Sequence, residues 1–225
     1  MLIHLIRHGE TDWNAIRRIQ GQQESRLTER GRNQARELAR QLQTHDISRV
    51  YCSTSHRTRQ TADLLFHHAT VEISYHDQLR EINLGPWEGS FYDDLARQDP
   101  EQFHYFWHEP QRFSLPGAEN FQQLQDRGMA ALREVCCLPG HDQVAIVSHG
   151  AILKSILCHV ESRPLDRLWD PPKLHNCAHS IIDVDTAGSG RIVLYAGEDY
   201  TAATALSEAG QCGDDENGSG AGPSA

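Results

Sequence analysis

The sequence predicts an α/β fold with three layers, in which helices flank a mainly parallel central sheet and a small helical insertion lies over the site. Short uninterrupted apolar runs, such as residues 144–147, are typical of strands that are buried on both faces. Between these runs, apolar residues recur at the three-and-four spacing of amphipathic helices. Strands that alternate with helices in this way form mainly parallel sheets covered on both sides.

The first predicted strand covers residues 2–6, an apolar run without clean alternation. The next segment, at about 28–43, is predicted to be helical because Ala35, Leu38 and Leu42 share one helical face. The later predicted elements, in chain order, are a strand near 49–52, a helix at about 55–67, a strand at 71–75, a helix at 121–135, a strand at 144–147, a helix at 151–160, and two strands at 180–185 and 191–196 joined by the turn 188–190.

Residues 1–200 are predicted to form a single domain. Within it, the stretch of about 83–118 (the insertion) breaks the alternation of strands and helices, and we expect it to act as a lid. Its many aromatic side chains form either a small core of its own or a contact surface for a ring-containing leaving group. Residues 210–225 are rich in Gly, Ser, Ala and acidic residues, which predicts a disordered tail.

Composition and charge exclude several classes of function. A formal net charge of −10 argues against binding to nucleic acid or to a membrane surface. The apolar runs are far shorter than the ~18 residues that a membrane-spanning helix needs. The N-terminus shows no export signal, and the six cysteines lack any C-x-x-C pair, which predicts reduced thiols in a cytoplasmic protein. Nothing in the sequence indicates an oligomeric state.

Three segments place ionisable residues directly after predicted strands. They are residues 7–11 with Asn14 behind them, residues 57–61, and residues 148–150. Ligands of open α/β sheets bind at the carboxyl ends of the strands, so this position favours a functional role. We therefore expect the three segments to converge on one crevice.

The residue types in these segments predict phosphoryl transfer through a histidine. The guanidinium groups of Arg7 and Arg57 match the paired oxygens of a phosphate and stay charged at any working pH. A neutral imidazole, such as that of His8 or His149, can attack phosphorus. Glu81 follows the third predicted strand and is the candidate proton donor for the leaving oxygen.

The same residues resemble a known family. Residues 5–11, Leu-Ile-Arg-His-Gly-Glu-Thr, together with Trp13 and Asn14, resemble the signature of the histidine phosphatase superfamily, which includes the cofactor-dependent phosphoglycerate mutases. The likeness covers roughly residues 1–197 and continues, in the same order, through residues 18–21, 27–31, 34–35, 57–62, 79–81, 85–89, 148–150 and 176–177.

The resemblance implies a role for each catalytic candidate. His8 would be the nucleophile that becomes phosphohistidine, and Arg7, Arg57 and His149 would clamp the phosphoryl oxygens. Glu81 would protonate the leaving oxygen and then deprotonate the attacking water. The resemblance implies no metal and no organic cofactor, since the arginines supply the positive charge.

A second set of residues is implied to bind the phosphate or the rest of the substrate. Asn14 and the backbone amide of Gly150 would be further phosphate ligands. Gln20 and Gly21 belong to the matching motif, and Glu119 could reach the pocket. The partner implied is a small phosphorylated metabolite.

Phosphatases and mutases of this family share one site, so the segment that covers the site discriminates between them. Glu81 and His149 are separated by 67 residues, a length that resembles the phosphatase branch acting on small phosphomonoesters. The basic residues of the insertion, Arg97 and Arg112, are outnumbered by six acidic ones, which suits a second phosphate poorly. The alternatives are a cofactor-dependent phosphoglycerate mutase and a non-catalytic protein that binds phosphorylated ligands.

Overall fold

A central sheet organises the structure, a computed structural model that describes residues 1–138, 140 and 142–200. The predicted elements are present, with bounds that differ from the predicted ones by about one residue. In the described part of the chain the strands are β1 (Leu2–Arg7), β2 (Arg49–Ser53), β3 (Glu72–His76), β4 (Gln143–Ser148), β5 (His179–Val184), β6 (Gly190–Tyr195) and β7 (Glu198–Asp199).

The two longest helices among the described residues, α2 and α6, begin where a side chain caps the first turn. Thr28 Oγ1 accepts a hydrogen bond from Gly31 N at 3.0 Å, and Asn120 Oδ1 accepts one from Gln123 N at 2.9 Å. A single-turn helix after β1 was not predicted, because one turn is too short to show an apolar period. The helices are α1 (Asp12–Ala15), α2 (Glu29–Leu42), α3 (His56–Phe66), α4 (Tyr92–Gln98), α5 (Pro100–His108), α6 (Phe121–Cys136) and α7 (Gly150–Val160).

The strand order is β3-β2-β4-β1-β5-β6-β7, and the sheet is mixed. Strands β3, β2, β4 and β1 pair in parallel, whereas the pairings of β1 with β5, β5 with β6 and β6 with β7 are antiparallel. The predicted α/β class is confirmed. The parallel half contains the strands that precede all three candidate segments.

Both faces of the sheet are covered, which explains the uninterrupted apolar run of β4. Val144 and Ile146 belong to one buried cluster, and Ala145 and Val147 belong to another on the opposite face. Because successive side chains of a strand point to opposite faces, a strand between two cores has no polar face. The three-layer prediction follows from this pattern and is confirmed.

The insertion folds into α4 and α5 with short turns around them, and it packs into the main core. Trp87, Phe106 and Phe113 are buried there with residues of α6 and α7. Residues 210–225, predicted to be a disordered tail, lie outside the described residues. The five cysteines within the described residues are free. No helix among the described residues is long and apolar enough to cross a membrane.

A group of histidines lies on the strands beside the N-terminus of the chain. His4 Nδ1 and His179 Nε2 are 2.9 Å apart, and His4 Nε2 lies 3.2 Å from Gln143 Oε1. Burial lowers the pKa of His4 to about 4 and that of His179 to about 3. One ring must accept the hydrogen bond that the other donates, so both rings cannot be protonated without losing it.

We expect the free energy of unfolding to fall as the pH drops from about 6.5 towards 4. In this range the unfolded histidines bind protons and the folded ones do not, so protonation favours the unfolded state. Urea unfolding at pH 7 and pH 5 measures the loss. His179→Gln cannot bind that proton and should lose about 1–2 kcal/mol less than the wild type over this interval. Equal losses in the two proteins would contradict the assignment.

Candidate active site

The three candidate segments meet at one edge of the sheet. β1 ends at Arg7, β2 ends three residues before α3 begins, and β4 ends two residues before α7 begins. Since β2, β4 and β1 are neighbours and run in parallel, their carboxyl ends lie side by side. The ring centroids of His8 and His149 are 5.3 Å apart, and the rings meet edge to face.

His8 is held as a neutral imidazole with one free nitrogen. Its side chain is 2% exposed, and Nδ1 lies 2.8 Å from the carbonyl oxygen of Gly9. A carbonyl only accepts, so Nδ1 carries the hydrogen and Nε2 carries the lone pair. Burial first, and then the charges of Arg57 and Arg7, hold the pKa of His8 well below its usual value. The imidazole is therefore ready to act as a nucleophile at neutral pH.

Two buried arginines are anchored by backbone carbonyls. Arg57 is 1% exposed and donates to the oxygens of Gly21 and Gln23, each at 2.8 Å. Arg7 donates to the oxygen of Leu174 at 2.6 Å. Burial lowers the pKa of Arg57 to about 10, which leaves it charged at neutral pH.

Each of these arginines also keeps a donor without a protein partner. Among the described residues, Arg7 Nε, Arg57 Nε and His149 Nδ1 are buried and lack a hydrogen-bond partner. Buried polar atoms are normally paired, so an unpaired set beside a nucleophile points to a ligand with several acceptor oxygens. A phosphoryl group has that chemistry.

His149 lies below the surface of the crevice. It is fully buried, and its Nε2 lies 2.8 Å from Ser53 Oγ, at the end of β2. Burial first, and then Arg57, His8 and Arg7, hold its pKa well below the usual value. The ring is therefore neutral before a ligand binds, and a bound anion would favour its protonated, donating form.

Glu81 lies at the N-terminus of α7. Its carboxylate accepts hydrogen bonds from the amides of Ala151 at 3.1 Å, Ile152 at 3.2 Å and Ile82 at 3.0 Å. A Cβ added to Gly150 would lie 3.4 Å from Arg7 Nε and 3.8 Å from Glu81 Oε2. The carboxylate and the guanidinium thus face the same small space, which Gly150 leaves open.

Glu119 takes a different position from the other candidates. Its carboxylate accepts from Arg127 Nε at 2.8 Å and Arg127 Nη2 at 2.7 Å, and it is not among the residues that line the cavity described below. Arg127 also donates to the backbone oxygens of Arg80 and Glu81. Glu119 therefore contacts the catalytic region through Arg127, a residue that no local motif indicated.

The remaining candidates line the cavity. Asn14 Oδ1 accepts from the amide of Thr11 at 3.2 Å, and Gln20 Oε1 accepts from the hydroxyl of Thr11 at 3.0 Å. Gly21 has a φ of +49°, and a Cβ there would lie 2.2 Å from Glu88 Oε1. A side chain at this position would be strained and would displace Glu88, so glycine favours this turn, whose carbonyl anchors Arg57.

Two glycines let the loop after β1 pack against α2. A Cβ on Gly31 would lie 2.1 Å from the oxygen of Glu10, and a Cβ on Gly9 would lie 2.6 Å from the oxygen of Gly31. We expect Gly31→Ala to lower the free energy of unfolding by about 1–3 kcal/mol and to reduce kcat, because the loop that carries His8 must move. Asn33→Ala, at an exposed position of the same helix, is the control for urea unfolding and kinetics. Equal behaviour of the two variants would contradict the close-packing argument.

The site opens into a cavity of about 470 Å³. Several of its lining residues were missed by sequence reasoning, because they belong to segments without a local motif. The basic ones lie outside the insertion, so counting the charges of the insertion did not find them. The missed residues include Lys154, Trp169, Lys173 and Leu174; Arg18, from the motif at 18–21, and Tyr92 and Trp107, from the insertion, line the cavity as well.

The aromatic residues of the insertion divide between two roles. Trp87 and Phe113 are buried in the main core, Tyr92 and Trp107 line the cavity, and Phe106 does both. The aromatic residues therefore do not form a core of the insertion's own, and their contact with a ring-containing leaving group stays a prediction. In the described part of the chain, no three His, Cys, Asp or Glu side chains are grouped so that they could hold a metal ion.

Known proteins share this sequence and this fold. A protein of Salmonella choleraesuis named "probable phosphoglycerate mutase GpmB" is 33% identical over 201 residues, which cover 87% of this chain and 92% of that protein. The solved structure of Bacillus stearothermophilus YhfR has a TM-score of 0.84 and 36% identity, covering 88% of this chain and 98% of that one. The α-ribazole phosphatase of Shigella flexneri has a TM-score of 0.76 and 25% identity, covering 89% of this chain and 100% of that one.

The family is shown by a match over most of the chain. A sequence model of the histidine phosphatase superfamily (branch 1) matches residues 3–196. This range includes every predicted site residue and the whole sheet except Leu2 and β7. The resemblance stated from the sequence is thereby confirmed, and the chain belongs to branch 1 of the histidine phosphatase superfamily.

Proposed function

We propose that this chain is a phosphatase that hydrolyses a small phosphomonoester through a phosphohistidine on His8, without a metal ion. The observation that carries the proposal is a neutral, buried His8 that lines one cavity with Arg7 and Arg57, each of which keeps a buried Nε without a protein partner. Such a site combines a nucleophile with charge stabilisation for the transferring group.

In the first step, His8 Nε2 attacks phosphorus, the N–P bond forms and the bond from phosphorus to the leaving oxygen breaks. Glu81 gives its proton to that oxygen, which departs as an alcohol. Arg7, Arg57 and His149 stabilise the charge on the three equatorial oxygens. The fixed donors need no rearrangement, because Arg7 and Arg57 are already anchored by carbonyls.

In the second step, water replaces the histidine. Glu81 takes a proton from the attacking water, the new P–O bond forms and the N–P bond breaks, which releases inorganic phosphate and neutral His8. The three amides that hold the carboxylate keep it directed at the same space in both steps. Asn14, Gln20, Gly21 and Gly150 complete the binding surface.

Hydrolysis is favoured over mutase activity by the short, acidic insertion, whose Arg97 pairs with Asp94 and whose Arg112 pairs with Glu109. Phosphoglycerate mutase is the second candidate. It is supported by the 33% identical relative and by the cations Arg18 and Lys173 on the cavity wall. The substrate we propose is a small phosphorylated metabolite of the cytoplasm, with no nucleic acid or membrane as partner.

Release of inorganic phosphate from a panel of phosphomonoesters tests the proposal. The panel contains aryl, sugar and glycerate phosphates, with interconversion of phosphoglycerates assayed in parallel. Phosphate release with at least one ester supports a phosphatase. Interconversion with little release would identify a mutase instead, and tight phosphate binding without either reaction would identify a binding protein.

Chelation tests the metal-independent mechanism. We expect EDTA to leave kcat/KM unchanged within about twofold, since guanidinium groups supply the charge that a metal ion supplies in other phosphoryl-transfer enzymes. Rates are measured after dialysis against the chelator, with added Mg²⁺ or Zn²⁺ as the matched comparison. A large loss that a metal restores would contradict the proposed mechanism.

A further inference from the structure

One buried cation of the cavity wall has no part in the proposed chemistry. Lys154, on α7, is 3% exposed and lines the cavity. Its Nζ donates to the oxygens of Asp170 at 2.5 Å and Pro172 at 2.7 Å, and to the hydroxyl of Tyr195 at 2.8 Å. An ammonium has three donors, so none is left for a ligand.

Two of these three partners belong to the segment 169–174, which we call the 169–174 loop. The loop contains no helix or strand, so its carbonyls are not paired in a ladder. Cations bind them instead: besides Lys154, Arg163 lies 3.3 Å from the oxygen of Asp170, and Arg7 binds that of Leu174. The loop supplies a large part of the cavity wall, namely Trp169, Asp170, Pro171, Lys173 and Leu174.

The loop also supports the insertion. The Trp169 ring packs against Phe106 and Trp107 of α5, with centroid separations of 5.6 Å and 5.1 Å. Trp169 Nε1 donates to the oxygen of Phe106 at 2.5 Å. Movement of the loop would therefore move both the far wall of the cavity and the aromatic residues above it.

The anchoring persists when Lys154 loses its proton. Burial and the charge of Arg163 lower the pKa of Lys154 to about 7, against the opposing effects of Cys158, Glu161 and Asp170. Burial raises the pKa of Tyr195, so its hydroxyl keeps its hydrogen and can donate to a neutral amine. The amine then still donates to the two loop carbonyls. Lys154 is thus a support for the loop on both sides of pH 7.

We propose that Lys154 is a positioning residue. By holding the 169–174 loop in place, it fixes the distance between His8 and Trp169 across the cavity and thereby selects the size of the leaving group. This inference rests on the proposed function and deepens it. A leaving group long enough to reach Trp169 gains affinity from a fixed wall. Inorganic phosphate, which reaches only the arginines and histidines, gains none.

Lys154→Met tests the inference, because methionine fills most of the same space but has no donor. Removing the donors leaves the carbonyl of Pro172 without its partner and that of Asp170 with Arg163 alone, so the loop is held less firmly and we expect KM for 1-naphthyl phosphate to rise about tenfold. We expect kcat, KM for ethyl phosphate and the inhibition constant of inorganic phosphate to change less than about threefold. Lys154→Gln keeps an amide donor and should give an intermediate KM; it also replaces the first variant if Lys154→Met does not fold.

Tyr195→Phe is the matched control. It removes the third hydrogen bond of Lys154 and leaves both loop contacts in place. Unchanged KM values in this variant support the inference. A rise in KM equal to that of Lys154→Met, or a loss that is uniform for both substrates, would overturn it, since either result indicates a general structural role.

Failure of the proposed function can be distinguished from failure of the inference about Lys154. If the wild-type chain releases phosphate from no ester of the panel described above, 1-naphthyl and ethyl phosphate included, the proposed function is wrong. The same comparison is then made with dissociation constants from titration calorimetry, using 1-naphthyl phosphate and inorganic phosphate. A ratio of the two constants that is the same in wild type and Lys154→Met would overturn the inference; a selective loss of naphthyl phosphate binding would support it.

Discussion

Replacing His8 by alanine is expected to reduce phosphate release by about 10⁴-fold or more, because the nucleophile of a covalent mechanism has no substitute in the site. His149 is the nearest other imidazole, but its Nε2 is bonded to Ser53 and it lies below the cavity surface. The remaining arginines would still bind the substrate, so KM should change much less than kcat.

The phosphoenzyme itself gives a direct measurement. Wild-type protein quenched during turnover with a radiolabelled phosphoester should carry label that is stable in base and lost in acid, as expected for phosphohistidine. His8→Ala should carry none. The control is His179→Gln, which also replaces a buried histidine, but one whose ring contacts His4 and which does not line the cavity. Labelling that survives in His8→Ala would show that another residue is the nucleophile.

Glu81→Gln is expected to have the second-largest effect. Glutamine has nearly the same shape and keeps a carbonyl acceptor, but it cannot exchange a proton with the leaving oxygen. For alkyl phosphates, whose leaving group must be protonated, kcat should fall by about 10²–10⁴-fold. For aryl phosphates with an acidic phenol, the leaving oxygen departs without that proton, and the fall in the phosphorylation rate should be much smaller.

Single-turnover kinetics with the two ester classes measures this difference. Each variant is its own control, since the ratio of the alkyl and aryl rates is independent of how much protein is active. A ratio that is unchanged between wild type and Glu81→Gln would contradict the assignment of Glu81 as the general acid. It would indicate that the carboxylate mainly positions the N-terminus of α7, since it accepts hydrogen bonds from two amides there.

Much of the fold can be predicted from local sequence because burial determines the spacing of apolar residues along each strand and helix. The run at 144–147 is apolar throughout because β4 lies between two cores, and α2 shows its buried face in Ala35, Leu38 and Leu42. The direction of β5 relative to β1 cannot be predicted from the spacing of apolar residues. It depends on which strands pair across more than 170 residues of chain, and the sheet is therefore mixed where a mainly parallel one was predicted.

The residues of the candidate site could be predicted from the sequence, but their arrangement could not. His8, Arg57 and His149 could be found because each lies just after a strand and within a short motif. Their meeting depends on β4 lying between β2 and β1, which is a property of the sheet. Glu119 looked like a pocket residue from its sequence neighbourhood, but the tertiary structure pairs it with Arg127.

The sequence by itself determined the class of fold and predicted which residues meet at the candidate site, because periodic burial and strand-end motifs are local properties of the chain. Only the tertiary structure decided what forms the far wall of the cavity. The side chain of Lys154 donates hydrogen bonds to backbone oxygens of the 169–174 loop. Every residue has a backbone oxygen, so no sequence pattern indicates which of them accepts such a bond.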